Sequence, residues 1–164
     1  MHSIGEFVVR PNAGICKIEA IEMMEIGGGK KEYYVLFPVK DGRARFYVPT
    51  DADETRIRSV MTKAEAEALI AQLEKIEALV VVNEKQREQQ YKEAIMKNDP
   101  RALVTVIKNI YARGQKRVAQ GKKVTSTDEK YFKQVEKALY SELAFSLEID
   151  QDKIQKKIVE TIGQ

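Results

Sequence analysis

The chain has 164 residues, enough for one ordinary domain or two small ones, and its 28 Lys and Arg against 25 Asp and Glu leave a net charge of only +3. A single Cys and a single His exclude a disulfide framework or a multi-cysteine zinc site within the chain. With no basic-then-apolar leader and no apolar run near the roughly 18 residues of a membrane span, the expectation is a soluble, cytoplasmic monomer with no membrane, metal or other cofactor.

From Glu6 to Pro49 apolar and polar residues alternate with period two and β-branched and aromatic residues are common, so this part is expected to form a small antiparallel sheet. Phe7 to Arg10 is a first strand, and Pro11-Asn12-Ala13-Gly14 a turn. Ile15 to Ile26 is a long second strand in which Cys16 is a core residue. Gly27-Gly28-Gly29 is a hairpin tip leading into Tyr33 to Phe37, and Asp41-Gly42 signals another hairpin before a strand from Arg43 to Val48. Four short strands with tight turns predict a partly closed SH3-like or Tudor-like small barrel.

After Pro49 the texture changes, which puts a domain boundary near residues 50 to 61, with units 1–60 and 61–164. Thr62 with Glu65 makes a capping box for a helix to about Lys75. Asn83 with Gln86 starts a second helix to about Lys97, and Asp99-Pro100 starts a third. Ser126 with Glu129 opens a fourth, whose Phe132, Val135, Leu139 and Leu143 recur at helical spacing. Asp150 caps a fifth carrying Ile154, Ile158 and Ile162. The predicted class is α+β: an all-β small barrel followed by an all-α helical bundle.

Charge is also divided unevenly. Residues 1–60 carry nine Lys and Arg against nine Asp and Glu, and the remainder 19 against 16. Between Pro100 and Thr127, Arg101, Lys108, Arg113, Lys116, Arg117, Lys122 and Lys123 occur without an acid. On a helical wheel Leu103, Val104, Ile107, Ile110, Tyr111 and Val118 share one side and Lys108, Arg113, Lys116 and Arg117 the other, with Val106 out of place. Such a face is either solvated or a polyanion surface, and solvated faces normally interleave both signs. Lys85 and Arg87 extend it if the preceding helix packs alongside. Phosphate contacts of this kind give salt-sensitive affinity without sequence information.

Catalytic patterns are weak. His2 lies at a terminus expected to be mobile, the three glycines join strand to strand and so make no phosphate loop, and Glu19, Glu22 and Glu25 have no convergent His or Cys. The expectation is a protein that is not an enzyme. On the sheet, Arg43 and Arg45 are expected on one strand face, and a short-strand barrel leaves an edge able to accept another protein's strand.

Taken in order, Gly5-Glu6-Phe7-Val8-Val9, the Pro11 to Gly14 turn, Ile18-Glu19-Ala20-Ile21-Glu22, Glu32-Tyr33-Tyr34-Val35-Leu36 and Val48-Pro49 are followed by Asn98-Asp99, Lys108 to Arg113, Asp128-Glu129-Lys130, and Leu139 with Glu142-Leu143. Over nearly its full length the chain thereby resembles the CarD/CdnL family of bacterial transcription regulators, whose amino-terminal module is shared with the transcription-repair coupling factor. The resemblance implies that residues 1–60 dock on the RNA polymerase β subunit, with Met24, Arg43, Arg45 and Tyr47 on the docking strands. It also implies that the helical unit contacts promoter DNA near the upstream edge of the bubble, favouring the open complex. DNA contact is expected through Lys85, Arg87, Arg101, Lys108, Arg113, Lys116, Arg117, Lys122 and Lys123, in a cytoplasmic, nucleoid-associated protein.

The sequence departs from the family pattern at the tryptophan that wedges into the minor groove: the chain has no Trp, and Glu84 stands there. A carboxylate is no apolar wedge and is repelled by phosphates. Met24 and Tyr47 stand where some members carry docking cations. Two rival readings remain at this point, a protein-interaction adaptor that never touches DNA and an RNA-binding or ribosome-associated module.

Overall fold

Alternation along the first sixty residues becomes one antiparallel sheet in a computed structural model that describes residues 1–163. Its strands are Phe7–Arg10 (β1), Gly14–Ile26 (β2), Gly29–Pro38 (β3), Phe46–Pro49 (β4) and Arg58–Ser59 (β5), in the order β4-β3-β2-β1-β5. Side chains from one pleat face stand opposite each other across the ladders: Val8 against Cys16, Ile18 against Leu36, Tyr34 against Val48. With Ile57 they form the core of this unit. Cys16 is buried among them, and burial pushes its thiol up to about 11, so it stays protonated at neutral pH. Gly27 and Gly28 both have positive φ between the paired Ile26 and Gly29, the two-residue turn that matches strand twist.

Four expectations for this unit are revised. The sheet is open, because β4 and β5 end it on opposite sides, so the small barrel is not closed. Arg43 and Arg45 precede β4 instead of lying in it. Asp41 accepts from the Arg43 N–H at 3.1 Å, a local Asx turn that replaces the tight hairpin. His2 is held in place: its N–H donates to the Tyr34 hydroxyl at 2.9 Å, and its ring meets Tyr34 edge-on and lies 3.1 Å from Glu6.

The chain divides into two compact units, Met1–Val60 and Met61–Gln164. In the second, helices Lys63–Ala71 (α1), Arg87–Met96 (α2), Pro100–Ala119 (α3), Ser126–Leu147 (α4) and Gln151–Ile162 (α5) surround one core. Local cap chemistry starts them: Thr62 and Glu65 form the capping box of α1, Asp99 accepts from the Arg101 N–H with Pro100 beside it, and Asp150 accepts from the Asp152 N–H. Two starts differ from expectation. A 3-10 turn over Glu84–Gln86, with Asn83 as its cap, precedes α2. Thr125, one residue before Ser126, caps α4 by accepting from the Asp128 N–H.

α3 runs through the middle of this packing and is flanked on more than one side. Leu103, Val104, Ile107 and Ile110 are buried as expected, and so are Val106 and Gly114, since α4, α2 and the segment after α1 all lie against it. Val118 is 63% exposed because the last turn of α3 projects past the core. On α4 the buried stripe is Tyr131, Val135, Leu139 and Leu143, with Phe132 half-buried beside it.

Candidate nucleic-acid interface

Of the nine cations expected to touch DNA, all but the half-buried Arg117 fall into two groups. Lys85, Arg101, Lys116, Lys122 and Lys123 are exposed. Arg101 donates to the Gln72 side chain at 2.7 Å, while Lys116, Lys122 and Lys123 make no ion pair among the described residues. Three further cations are turned inward. Lys108 donates to the backbone oxygens of Leu73 and Ile76, closing the 3-10 turn Leu73–Lys75 that follows α1, and burial lowers its pKa. Arg87 and Arg113 belong to a polar cluster between α2, α3 and α4.

In that cluster Arg87 makes two hydrogen bonds to the Glu84 carboxylate, both at 2.9 Å, and donates to the Tyr91 hydroxyl at 2.6 Å and to Asn109 Oδ1 at 2.9 Å. Arg113 lies 3.0 Å from Glu84 Oε2 on one side and 3.0 Å from Asp128 Oδ2 on the other. The Tyr91 hydroxyl stands 2.9 Å from Asp128 Oδ1 and 3.0 Å from Asn109 Oδ1, with one proton to share between them. Burial, more than the Asp128 charge, pushes Tyr91 up to about 12, so it remains a phenol. Hydrogen bonds from Arg87, with the Arg87 and Arg113 charges, pull the Glu84 carboxyl down to about 2. The acid-free run on α3 therefore has its acids, supplied from elsewhere in the chain. Sequence reasoning missed Asp128, Tyr91 and Asn109, because nothing local marks residues that meet only when helices pack.

Three of the exposed cations, Lys116, Lys122 and Lys123, gather at the far end of α3. Lys116 and Arg117 occupy its last turn, where positive charge also complements the helix dipole. The chain then folds back: Arg117 Nε donates to the Lys123 carbonyl and the Lys122 N–H to the Arg117 carbonyl, both at 2.8 Å. Buried Gly114 makes room for this return, since a Cβ there would sit 3.3 Å from Val124. Lys122 and Lys123 are thereby held beside Lys116 and Arg117.

Ahead of α2, the loop carrying Val80 to Val82 is tied down by its backbone. The Leu79 N–H bonds the Thr105 carbonyl at 3.0 Å, Asn109 donates to the Leu79 carbonyl at 2.8 Å, and Gln90 both donates to the Val80 carbonyl and accepts from the Val82 N–H. The Val80 and Val82 side chains are 74% and 85% exposed.

On the sheet, β4 is an edge strand, and Tyr47 on it is exposed. Arg45 stacks 4.2 Å over the Phe37 ring and pairs with Glu19 at 3.0 Å, while Arg43 is exposed in the preceding turn. Met24 lies half-buried on the β2–β3 ribbon opposite Lys31, away from Tyr47, which stands opposite Val35. The four residues expected to dock thus do not form one contiguous strand face. Among the described residues no group of His, Cys, Asp and Glu could hold a metal, and no helix is long and apolar enough to cross a membrane.

Comparison with known families matches residues 2–61 to the CarD-like/TRCF RID domain and residues 68–159 to the CarD C-terminal domain. The chain belongs to the CarD family. That makes it an RNA polymerase-interacting transcription factor built from regulatory, non-enzymatic domains. No curated protein matches the chain. In this CarD family member Lys116, Lys122 and Lys123 have no acidic partner among the described residues, and β4 is an edge strand.

Proposed function

We propose that the protein docks on the β subunit of RNA polymerase through the edge of its sheet around β4 and lays the cationic end of α3 on promoter DNA, favouring the open complex. The observation that carries the DNA side is the set of Lys116, Lys122 and Lys123, exposed and without an acidic partner among the described residues, with Arg117 tying the loop back beside them. The unpaired edge of β4 supports the docking side, because main-chain groups at a sheet edge accept a partner strand. A few phosphate contacts bind weakly alone, but tethering to polymerase makes them intramolecular and raises the effective DNA concentration to about the millimolar range. The open complex gains only if these contacts are better made on opened DNA. The protein then works in the cytoplasm at the nucleoid.

The test is a triple variant, Lys116→Glu, Lys122→Glu and Lys123→Glu. Duplex binding should weaken and its salt dependence flatten, by about 0.9 logarithmic units of slope per lost phosphate contact. Capture of polymerase should persist, and an unchanged slope removes the DNA face. A second reading, an adaptor that never touches DNA, is favoured by one observation: Arg87 and Arg113 are already paired with Glu84 and Asp128. Preference for forked over intact duplex in the presence of polymerase supports the first reading, and indifference to DNA form with polymerase bound supports the second.

A further inference from the structure

The cluster around Arg113 holds two cations and two carboxylates, and the carboxylates differ in setting. Asp128 is fully buried, and removing it would strand Arg113 and the Tyr91 hydroxyl. Glu84 is 66% exposed and reaches the two guanidinium groups from the solvent side. Only the carboxylate end of these pairs faces solvent, since the Arg87 and Arg113 side chains are 12% and 27% exposed, so Glu84 is the partner that can leave without burying a new charge. Arg87 stays placed without it, because Tyr91 and Asn109 hold the same guanidinium. A guanidinium fork that accepts a carboxylate accepts phosphate oxygens with the same geometry.

We propose that Glu84 is an internal, displaceable stand-in for a nucleic-acid phosphate: it occupies the oxyanion place between Arg87 and Arg113, and a DNA backbone phosphate takes that place when Glu84 swings out. With Glu84 in position the cluster is neutral and adds nothing to long-range attraction. With Glu84 displaced it carries a net positive charge that a phosphate neutralises. The carboxylate therefore sets how many cations the chain presents, and holds this part of the surface silent until DNA is already near. The inference rests on the DNA-contact reading and assigns its regulation to a residue of this chain.

The experiment measures anisotropy of a labelled duplex with full-length protein across a range of salt. It compares the unaltered chain, Glu84→Gln, Glu84→Ala, Glu93→Gln and the triple variant described above. Removing the stand-in should tighten binding at every salt by about fivefold or more, the cost of displacing Glu84 that the unaltered chain meets and the variants do not, with the slope unchanged because the same single phosphate is contacted once Glu84 has left. Glu93→Gln removes the same unit charge from α2 and should leave the affinity near that of the unaltered chain. Affinities for both Glu84 variants equal to that of the unaltered chain overturn the proposal, as does a gain for Glu93→Gln as large as theirs. If the triple variant still weakens binding in that case, DNA contact stands and only the stand-in falls. Absence of binding by every protein in the set overturns both.

Discussion

Asp128 Oδ2 lies 3.0 Å from Arg113 Nε, so a fully buried carboxylate on α4 neutralises a cation from the middle of an acid-free stretch of α3. The same carboxylate reaches the Tyr91 hydroxyl through its other oxygen, which joins three helices through one side chain. Asp128→Asn keeps the shape but removes the charge that both partners need. It should lower unfolding stability by about 2–3 kcal/mol in urea titrations, and a change within error of zero would show that the pair is dispensable.

Lys108 closes the turn after α1, so its contribution belongs to folding. Lys108→Met leaves two backbone oxygens without their donor and should cost about 2 kcal/mol, while the salt slope of DNA binding stays as it is. Unchanged stability together with a slope shallower by about 0.9 would return Lys108 to the DNA face.

α4 ends at Glu148, which has φ +54° in the left-handed region, with the Ile149 N–H bonded back to the Ala144 carbonyl at 3.2 Å. A side chain with Cβ costs about 1 kcal/mol there, which glycine avoids. Glu148→Gly should therefore raise the melting temperature, and a fall would mean that the Glu148 side chain makes a compensating interaction.

The Glu84 carboxyl is held near 2 in the folded chain against an ordinary value of 4.5. Its pKa is depressed on folding, so the stability it contributes is fully present above about pH 4.5 and fades as pH falls toward 2. Unfolding followed over that range should show a shallower acid limb for Glu84→Gln than for the unaltered chain. Parallel limbs would mean that the pairs with Arg87 and Arg113 are not maintained in solution.

Much of the fold was legible because its signals are local. Thr62, Asp99 and Asp150 announce helices through side chains that bond an N–H two or three residues on, and Gly27-Gly28 announces a turn through its backbone freedom. β5 had no such signal: Arg58 and Ser59 are a strand only because they pair with Val9 and Val8. The strand expected from Arg43 was shortened by a stack of Arg45 on Phe37 and its pair with Glu19, neither visible in alternation. The basic stretch was legible as composition, but which cations stay free was not. Glu84 and Asp128 reach Arg113 from other elements, and Lys108 is spoken for by carbonyls a full helix away.

The loop at Val80 to Val82 combines a fixed backbone with exposed apolar side chains. Its backbone entropy has already been surrendered in folding the helical unit, so whatever surface comes to cover Val80 and Val82 meets them without a backbone ordering penalty. What they gain on contact, on the order of 1.5 kcal/mol or more for each fully covered side chain, is offset only by side-chain and rigid-body entropy.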